Sequence, residues 1–134
     1  MSITTHPDDD LVIKDSLQEV MATYALRLDG GNYYVGKTIN LTRRLSEHIK
    51  IGEMSSAQWV DKHGFVAVDY ICIGQDIEKE ATLLYMQKYG WEKVRGYNWS
   101  KVEMEHPPKD FEKVCASLPF TFETLPMKAA GPAD

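Results

Sequence analysis

The chain has 134 residues and a formal net charge of −5, with 43% hydrophobic and 26% charged residues. This length predicts one domain with a single core, and the acidic balance argues against a protein that coats nucleic acid nonspecifically. The sequence lacks the run of eighteen apolar residues that a membrane span needs, and its polar start argues against a signal peptide. We therefore expect an intracellular protein, in the cytoplasm or the nucleus.

Both ends of the chain differ in composition from its middle. Residues 1–20 predict an acidic N-terminal arm or short helix, with a helical pattern over residues 11–22. Residues 119–134 end in prolines and small residues and predict a C-terminal tail. The residues between them, 21–118, contain no internal repeat and are expected to form one domain.

The domain is predicted to begin with a β-hairpin. Residues 24–28 and 33–36 have strand-like patterns, and a glycine pair between them accepts the positive φ angles of a tight turn. A two-residue loop would place Tyr24 and Tyr34 on opposite faces of the sheet, whereas a three-residue or five-residue loop would place both on one face. A single site that uses both tyrosines therefore requires the longer loop.

The rest of the domain predicts helices around a small sheet. Residues 65–73 form the clearest strand, and residues 94–100 predict a loop or a short strand. The predicted helices cover residues 41–50, 54–63, 77–89 and 109–116, the first of them capped by Asn40. The expected fold class is α/β (α+β), a sandwich in which a three-stranded, mostly antiparallel sheet is flanked by helices.

Several residues on these elements carry groups that can act on phosphate. Five lysines and arginines against two acidic residues make the stretch 24–50 locally basic. Within it, Arg44 and His48 lie four residues apart and so share one face of a predicted helix. Glu80 lies at the edge of the inward face of a later helix, where a carboxylate needs a partner, solvent or a bound cation. Each of these residues taken singly, like Asn98 in a turn, also has an ordinary structural explanation.

The cysteines and tryptophans are interpreted first as structural residues. Cys72 and Cys115 lack metal-ligand spacing and are predicted to be buried free thiols. Trp59, Trp91 and Trp99 are expected mainly to pack, although indole rings also stack on unpaired bases. These residues therefore do not decide the function.

The joint pattern over residues 22–100 resembles the GIY-YIG nuclease family. The positions that carry the resemblance are two short motifs, Ala22-Thr23-Tyr24 and Tyr34-Val35-Gly36, and the later residues Arg44, His48, Glu80 and Asn98. The first motif departs from the family at its glycine and isoleucine, which are backbone and packing positions. The tyrosine of that motif, which matters chemically, is present.

The resemblance implies a divalent-metal-dependent endonuclease that hydrolyses phosphodiester bonds in duplex or branched DNA. It implies one Mg²⁺ or Mn²⁺ ion held by Glu80, and a tyrosine, either Tyr24 or Tyr34, that deprotonates the attacking water. Arg44 would bind the scissile phosphate, and Lys37 would neutralise phosphate or lower the pKa of a tyrosine. The remaining residues would position the others: His48 would orient the nucleophile or a tyrosine, and Asn98 would brace the site.

A second hypothesis is a catalytically silent domain of the same fold that binds nucleic acid or a protein partner. The acidic net charge and the lack of a dedicated DNA-reading segment favour this silent relative. The complete set of six side chains favours the enzyme more. A third hypothesis is an interaction module with chance motif matches. Appended domains and inserted loops supply target choice in related nucleases, and this chain has little of either. Four alternatives stay open: weak specificity, selection of DNA structure, a protein partner that supplies specificity, or a homodimer that reads two strands.

Overall fold

The computed structural model describes residues 20–49 and 57–126, and these form an α+β fold. A mixed four-stranded sheet, in the order β3-β1-β2-β4, is flanked by helices. The strands are β1 (Ala22–Leu28), β2 (Asn32–Thr38), β3 (Phe65–Ile73) and β4 (Val94–Gly96). The first three pair antiparallel, and β4 pairs parallel with β2. The predicted fold class is confirmed.

The prediction of three strands was wrong, because β4 adds a fourth. Its three residues are too few for a strand pattern, and one of them is the charged Arg95. The guanidinium of Arg95 is nevertheless 3% exposed, because it donates hydrogen bonds to main-chain carbonyls, including those of Lys101 at 2.6 Å and Val102 at 3.0 Å. It also lies 4.2 Å from the ring centroid of Trp59. Long-range partners thus make an arginine acceptable inside the sheet.

The hairpin loop has three residues. Leu28 pairs with Asn32, and the loop Asp29–Gly31 contains two glycines with φ angles of 77° and 78°. Only glycine adopts such angles without steric cost, which explains the glycine pair. Since Tyr24 pairs with Gly36, two residues beyond Tyr34, both tyrosines lie on one face of the sheet.

The described residues contain four α-helices: α1 (Leu41–Ile49), α2 (Gln58–His63), α3 (Glu78–Tyr89) and α4 (Phe111–Ala116). Asn40 caps α1, because its side-chain oxygen accepts a hydrogen bond of 3.1 Å from the Arg43 N–H. The predicted start of α2 lies in residues 51–56, outside the described residues. Of the helix predicted over residues 11–22, residues 11–19 lie outside the described residues, and Ala22 is the first residue of β1. No helix in the described ranges is long and apolar enough to cross a membrane.

The two faces of the sheet bury two separate apolar clusters. The α3 face is covered by α3, and its buried residues include Ala25, Tyr33, Val35, Cys72, Ala81, Tyr85 and Met86. The opposite α1 face is covered by α1 and α2, and its buried residues include Tyr24, Leu26, Leu28, Trp59 and Val60. Tyr33 and Tyr34 are neighbours in β2 but belong to different faces, as strand alternation requires.

The segment after α4 contributes to the α3 face. Phe120, Phe122 and Leu125 pack against it, and the Tyr70 hydroxyl donates a hydrogen bond to the carbonyl of Pro126. The first part of the predicted tail is therefore in contact with the domain, and residues 127–134 lie outside the described residues. Both cysteines are buried and free, as predicted. The boundaries of the three predicted segments stay predictions.

Candidate functional site

Tyr24, Tyr34 and His48 form an aromatic cluster on the α1 face. The two phenol rings have centroids 6.4 Å apart, and the imidazole of His48 lies 5.7 Å from Tyr24 and 5.5 Å from Tyr34. The Tyr24 hydroxyl oxygen lies 2.9 Å from Nε2 of His48 in a buried hydrogen bond. Tyr24 is fully buried, whereas Tyr34 is only half-buried, so Tyr34 is the phenol with access to solvent. The structure thus brings together three residues that the sequence predicted for one site.

Gly36 makes room for this cluster. A Cβ atom there would lie 2.5 Å from the Tyr24 hydroxyl oxygen and 3.0 Å from Cε2 of Tyr34. Contacts this short are not tolerated, so any side chain at this position would displace a phenol. The glycine of the second motif is therefore required by the close approach of both tyrosines.

His48 is uncharged at physiological pH. Burial lowers its pKa to about 4, and the neighbouring Arg44 lowers it further, against smaller opposing effects of Glu47 and Asp61. Its Nδ1 atom is buried and has no hydrogen-bond partner within residues 20–49 and 57–126. The residue therefore acts on Tyr24 as a neutral hydrogen-bonding group rather than as a cation.

Both phenols of the cluster resist ionisation. Burial raises the pKa of Tyr24 and of Tyr34 above the usual value of a phenol. Arg44 opposes this effect at both residues, because its positive charge favours a phenolate. A tyrosine of this site can therefore serve as a base only when more positive charge is close to it.

Arg44 joins the cluster from α1. Its side chain is 19% exposed, and Nη1 donates a hydrogen bond of 2.8 Å to Oε1 of Glu47, three residues further along the helix. One of its five N–H groups is therefore engaged within the helix. A phosphate that approaches Arg44 competes with Glu47 for the guanidinium.

The carboxylate of Glu78 acts electrostatically on both tyrosines. Its negative charge contributes to the raised pKa values of both Tyr24 and Tyr34. Burial raises the pKa of Glu78 itself, while Lys37 and the backbone N–H of Tyr97 act against this increase. This half-buried glutamate was not among the residues predicted from the sequence.

Glu80, the glutamate predicted from the sequence, takes no part in these interactions. Among the described residues it makes neither a salt bridge nor a side-chain hydrogen bond. Two residues along an α-helix correspond to a rotation of about 200°, so Glu78 and Glu80 point in nearly opposite directions. Since α3 packs on the face opposite the tyrosines, only its first turn can approach them, past the end of the sheet.

Lys37 and Asn98, both predicted for the site, are exposed. Nζ of Lys37 forms an exposed salt bridge of 2.9 Å with Oδ2 of Asp76, which raises the pKa of the lysine. Asn98 is exposed in a turn and makes no side-chain hydrogen bond within the described residues. Its neighbour Tyr97, rather than Asn98 itself, is the residue that interacts with Glu78.

The residues present fit a single divalent ion held mostly by water and substrate. No group of three or more His, Cys, Asp or Glu side chains that could hold a metal ion occurs in the part of the chain that the structure describes. Mg²⁺ often needs only one or two carboxylates, because it keeps several waters and takes substrate phosphate oxygens as ligands. Glu78 fits this requirement, since its burial leaves a carboxylate that a cation would stabilise.

A comparison with protein families identifies the family of this chain. A model described as the GIY-YIG catalytic domain matches residues 20–93, more than half of the chain. The match contains the tyrosine pair, Arg44, His48 and both glutamates, whereas Asn98 lies beyond it. Neither the curated proteins nor the solved structures gave a match to the chain. The chain therefore belongs to the GIY-YIG family, whose domains are generally of the nuclease type.

Proposed function

We propose that this protein is a divalent-metal-dependent endonuclease that hydrolyses phosphodiester bonds in DNA within the cell. The observation that carries the proposal is the convergence of four kinds of group at one end of the sheet. These are the guanidinium of Arg44, two phenols, a neutral imidazole and a half-buried carboxylate. Phosphodiester hydrolysis needs charge neutralisation, a proton acceptor and a positioned water, and this set can supply each of them.

Arg44 is the group that binds the scissile phosphate in this proposal. A guanidinium can bind two phosphate oxygens at once, and this geometry fixes the orientation of the phosphate. Its partial burial strengthens the interaction, because fewer water molecules compete for the charge. Lys37 lies nearby and adds a second positive charge, which Asp76 holds in place.

Tyr34 takes the proton from the attacking water in this proposal, and Tyr24 positions His48 beside it. Tyr34 is the phenol with solvent access, whereas Tyr24 is buried with its hydroxyl bonded to His48. In this step Tyr34 is ionised: the water oxygen forms the new bond to phosphorus, and the water proton passes to the phenolate oxygen of Tyr34. The bond between phosphorus and the sugar oxygen breaks, and the sugar oxygen leaves as an alkoxide that takes a proton from solvent. Because burial raises the Tyr34 pKa, this step depends on the positive charge of Arg44 and of a bound cation.

Glu78 is the residue that would hold the metal, with Mg²⁺ or Mn²⁺ as the expected ion. When bound, the ion supplies neutralisation of the charge that develops on the phosphate and lowers the pKa of nearby acids. The backbone N–H of Tyr97 fixes the Glu78 carboxylate from one side. Glu80, predicted for this role from the sequence, points to the opposite side of α3 and provides a matched comparison.

The alternative function is a silent domain that binds DNA or a protein without cleaving it. One observation favours it: Nη1 of Arg44 already forms a salt bridge of 2.8 Å with Oε1 of Glu47. A silent domain would still bind DNA through Arg44 and Lys37 but would not depend on Glu78. The two functions therefore differ in whether binding is followed by cleavage.

The test is a cleavage assay on plasmid and branched DNA with Mg²⁺, with Mn²⁺ and with a chelator. The wild type should nick DNA only with metal, and Arg44→Ala should lose about a hundredfold or more of kcat/KM. The adjacent Arg43→Ala is the matched control, because Arg43 is exposed and lies 3.9 Å from the same Glu47. It should stay within about threefold of the wild type, since surface ion pairs contribute little. DNA binding without any cleavage would establish the silent alternative, and equal losses in both variants would contradict the role of Arg44.

A further inference from the structure

Tyr97 has a backbone conformation that its side chain disfavours. Its φ angle is 54°, and it is one of two non-glycine residues with positive φ in the described ranges. Glycine and asparagine adopt this left-handed region far more readily than an aromatic residue does. Strained residues of this kind concentrate at functional sites, which makes Tyr97 a candidate for a role in function.

The turn that carries Tyr97 is held rigidly at the end of β4. Gly96 and Trp99 exchange two backbone hydrogen bonds, of 2.9 and 2.8 Å, across the turn. Gly96 in turn packs so closely that an added Cβ would lie 2.5 Å from the carbonyl oxygen of Val35. The turn is therefore fixed to the central strand β2 and cannot relax the strain at Tyr97 by moving away.

The ring of Tyr97 is presented to solvent beside the candidate site. The residue is 37% exposed, and its ring centroid lies 5.3 Å from that of Trp99. Its backbone N–H lowers the pKa of Glu78, and its phenol has a small electrostatic effect on Lys37. The exposed ring of Tyr97, beside the half-buried ring of Trp99, thus lies near the residues proposed to bind the metal and the phosphate.

There is open space beside this ring pair. Residues 98–101 and 103–109 line a cavity of about 420 Å³, so Trp99 forms part of its wall and Tyr97 adjoins it in the chain. Cavities of this size accept small flat molecules such as a nucleobase. The rings and the cavity together offer a stacking surface and the room for a base to reach it.

We propose that Tyr97, backed by Trp99, stacks on an unpaired DNA base next to the scissile phosphate. A role for the backbone alone does not explain the side chain, because glycine or asparagine would supply the same N–H to Glu78 with less strain. A base in a duplex has both faces covered, whereas an unpaired base has a face free for stacking. The inference rests on the proposed nuclease function and narrows its substrate to DNA with an unpaired nucleotide at the cleavage point.

The test compares a ring-free variant with a ring-retaining one. Tyr97→Asn removes the ring and tolerates positive φ, whereas Tyr97→Phe keeps the ring and loses only the hydroxyl. Fluorescence anisotropy in the presence of a chelator would give Kd values for a duplex with a single-stranded flap and for the same duplex without it. Tyr97→Asn should reduce the preference for the flap about tenfold, and Tyr97→Phe should keep it within about twofold of the wild type.

A Tyr97→Asn protein with an unchanged flap preference would overturn the inference, as would an equal loss of that preference in Tyr97→Phe. Thermal unfolding checks that the variant folds, and Tyr97→Gly gives a second ring-free protein that tolerates positive φ. Cleavage by the wild type separates this inference from the proposed function. If the wild type cuts DNA but Tyr97→Asn keeps the flap preference, only the inference fails, whereas a wild type that neither binds nor cuts any DNA contradicts both.

Discussion

Tyr33 and Tyr34 are adjacent in the sequence but have opposite environments. Tyr33 belongs to the α3 face, is 7% exposed and stacks on Tyr89 with ring centroids 4.2 Å apart. Tyr34 belongs to the α1 face, is half-buried and lies next to His48 and Arg44. Burial, with further increases from Tyr89 and Asp69, raises the pKa of Tyr33 to about 12, and Arg27 opposes them with a smaller effect. The same residue type therefore serves packing on one face and a candidate site on the other.

The two faces differ most clearly in how their polar groups are partnered. On the α3 face the Tyr85 hydroxyl donates a hydrogen bond of 2.6 Å to Asp69, and aromatic rings surround it. On the α1 face Nδ1 of His48 is buried without a partner among the described residues, and Arg44 forms its salt bridge with a partly exposed glutamate. A buried polar atom without a partner costs stability, and such costs are typical of sites kept for function. The α1 face is thus less optimised for stability than the α3 face.

The largest expected effect separates the two neighbouring tyrosines. Tyr34→Phe should lower kcat for DNA cleavage by about a hundredfold or more, because it removes the proposed proton acceptor. Tyr33→Phe should keep kcat within about threefold of the wild-type value and instead lower the free energy of unfolding by about 1 kcal/mol. Steady-state cleavage and urea unfolding of both proteins would measure this contrast. Equal losses of activity in the two variants would show that the faces do not divide function from packing.

A second contrast uses two glycines that support different faces. Gly36→Ala should displace the phenols of Tyr24 and Tyr34 and lower kcat by about tenfold or more, with a destabilisation of about 1–3 kcal/mol. Gly96→Ala would instead place Cβ 2.5 Å from the Val35 carbonyl and 2.7 Å from Oγ1 of Thr82. Its main effect should be on stability, because these atoms belong to the α3 side and to the backbone. A Gly36→Ala protein with full activity would contradict the close packing described for the tyrosines.

The smallest effect concerns the dependence of stability on pH. The pKa of His48 is about 4 in the folded protein and about 6.5 in the unfolded chain, so only the unfolded chain gains a proton between these values. Stability should therefore fall as the pH decreases from about 6.5 to about 4, by at most about 3 kcal/mol from this residue. The buried tyrosines of the α3 face stay uncharged in that range and contribute nothing to the change.

His48→Gln isolates this contribution from those of the other ionisable groups. Urea unfolding at pH 7.5 and pH 4.5 should show a smaller loss of stability in His48→Gln than in the wild type. Identical losses in the two proteins would mean that His48 is already charged, or equally solvated, in the folded state. His48 would then behave like an ordinary surface histidine, and its description as a buried, neutral residue would be wrong.

Much of the site on β1, β2 and α1 could be predicted from the sequence. The spacing of Arg44 and His48 fixes them on one helix face, and the cap at Asn40 fixes where that helix begins. Whether Tyr24 and Tyr34 lie on the same face of the sheet depends on the loop length, which a glycine pair alone does not determine. The structure resolves this with a three-residue loop, the shorter of the two loops that a single site allowed.

The carboxylate could not be predicted in the same way. The sequence pattern of α3 identifies its inward face, and Glu80 lies at the edge of that face. The apolar residues of α3 pack on the sheet face that contains Tyr33, however. Residues on that side of the helix therefore point away from Tyr24 and Tyr34, which lie on the opposite face. Only the three-dimensional position of the first helical turn singles out Glu78. Residues 94–100 predict a loop or a short strand, but the pairing of β4 in the sheet was not predicted, because the partners that stabilise Arg95 are not part of any local strand pattern.

The most direct test of the account is Mg²⁺-dependent DNA cleavage by the wild type, Glu78→Gln and Glu80→Gln side by side. Both variants change one carboxylate to an amide within the first turn of the same helix, so their effects on folding should be similar. We predict that Glu78→Gln loses at least about a hundredfold of kcat and that Glu80→Gln stays within about threefold of the wild type. An active Glu78→Gln beside an inactive Glu80→Gln would contradict the site described here and would place the metal on the glutamate predicted from the sequence.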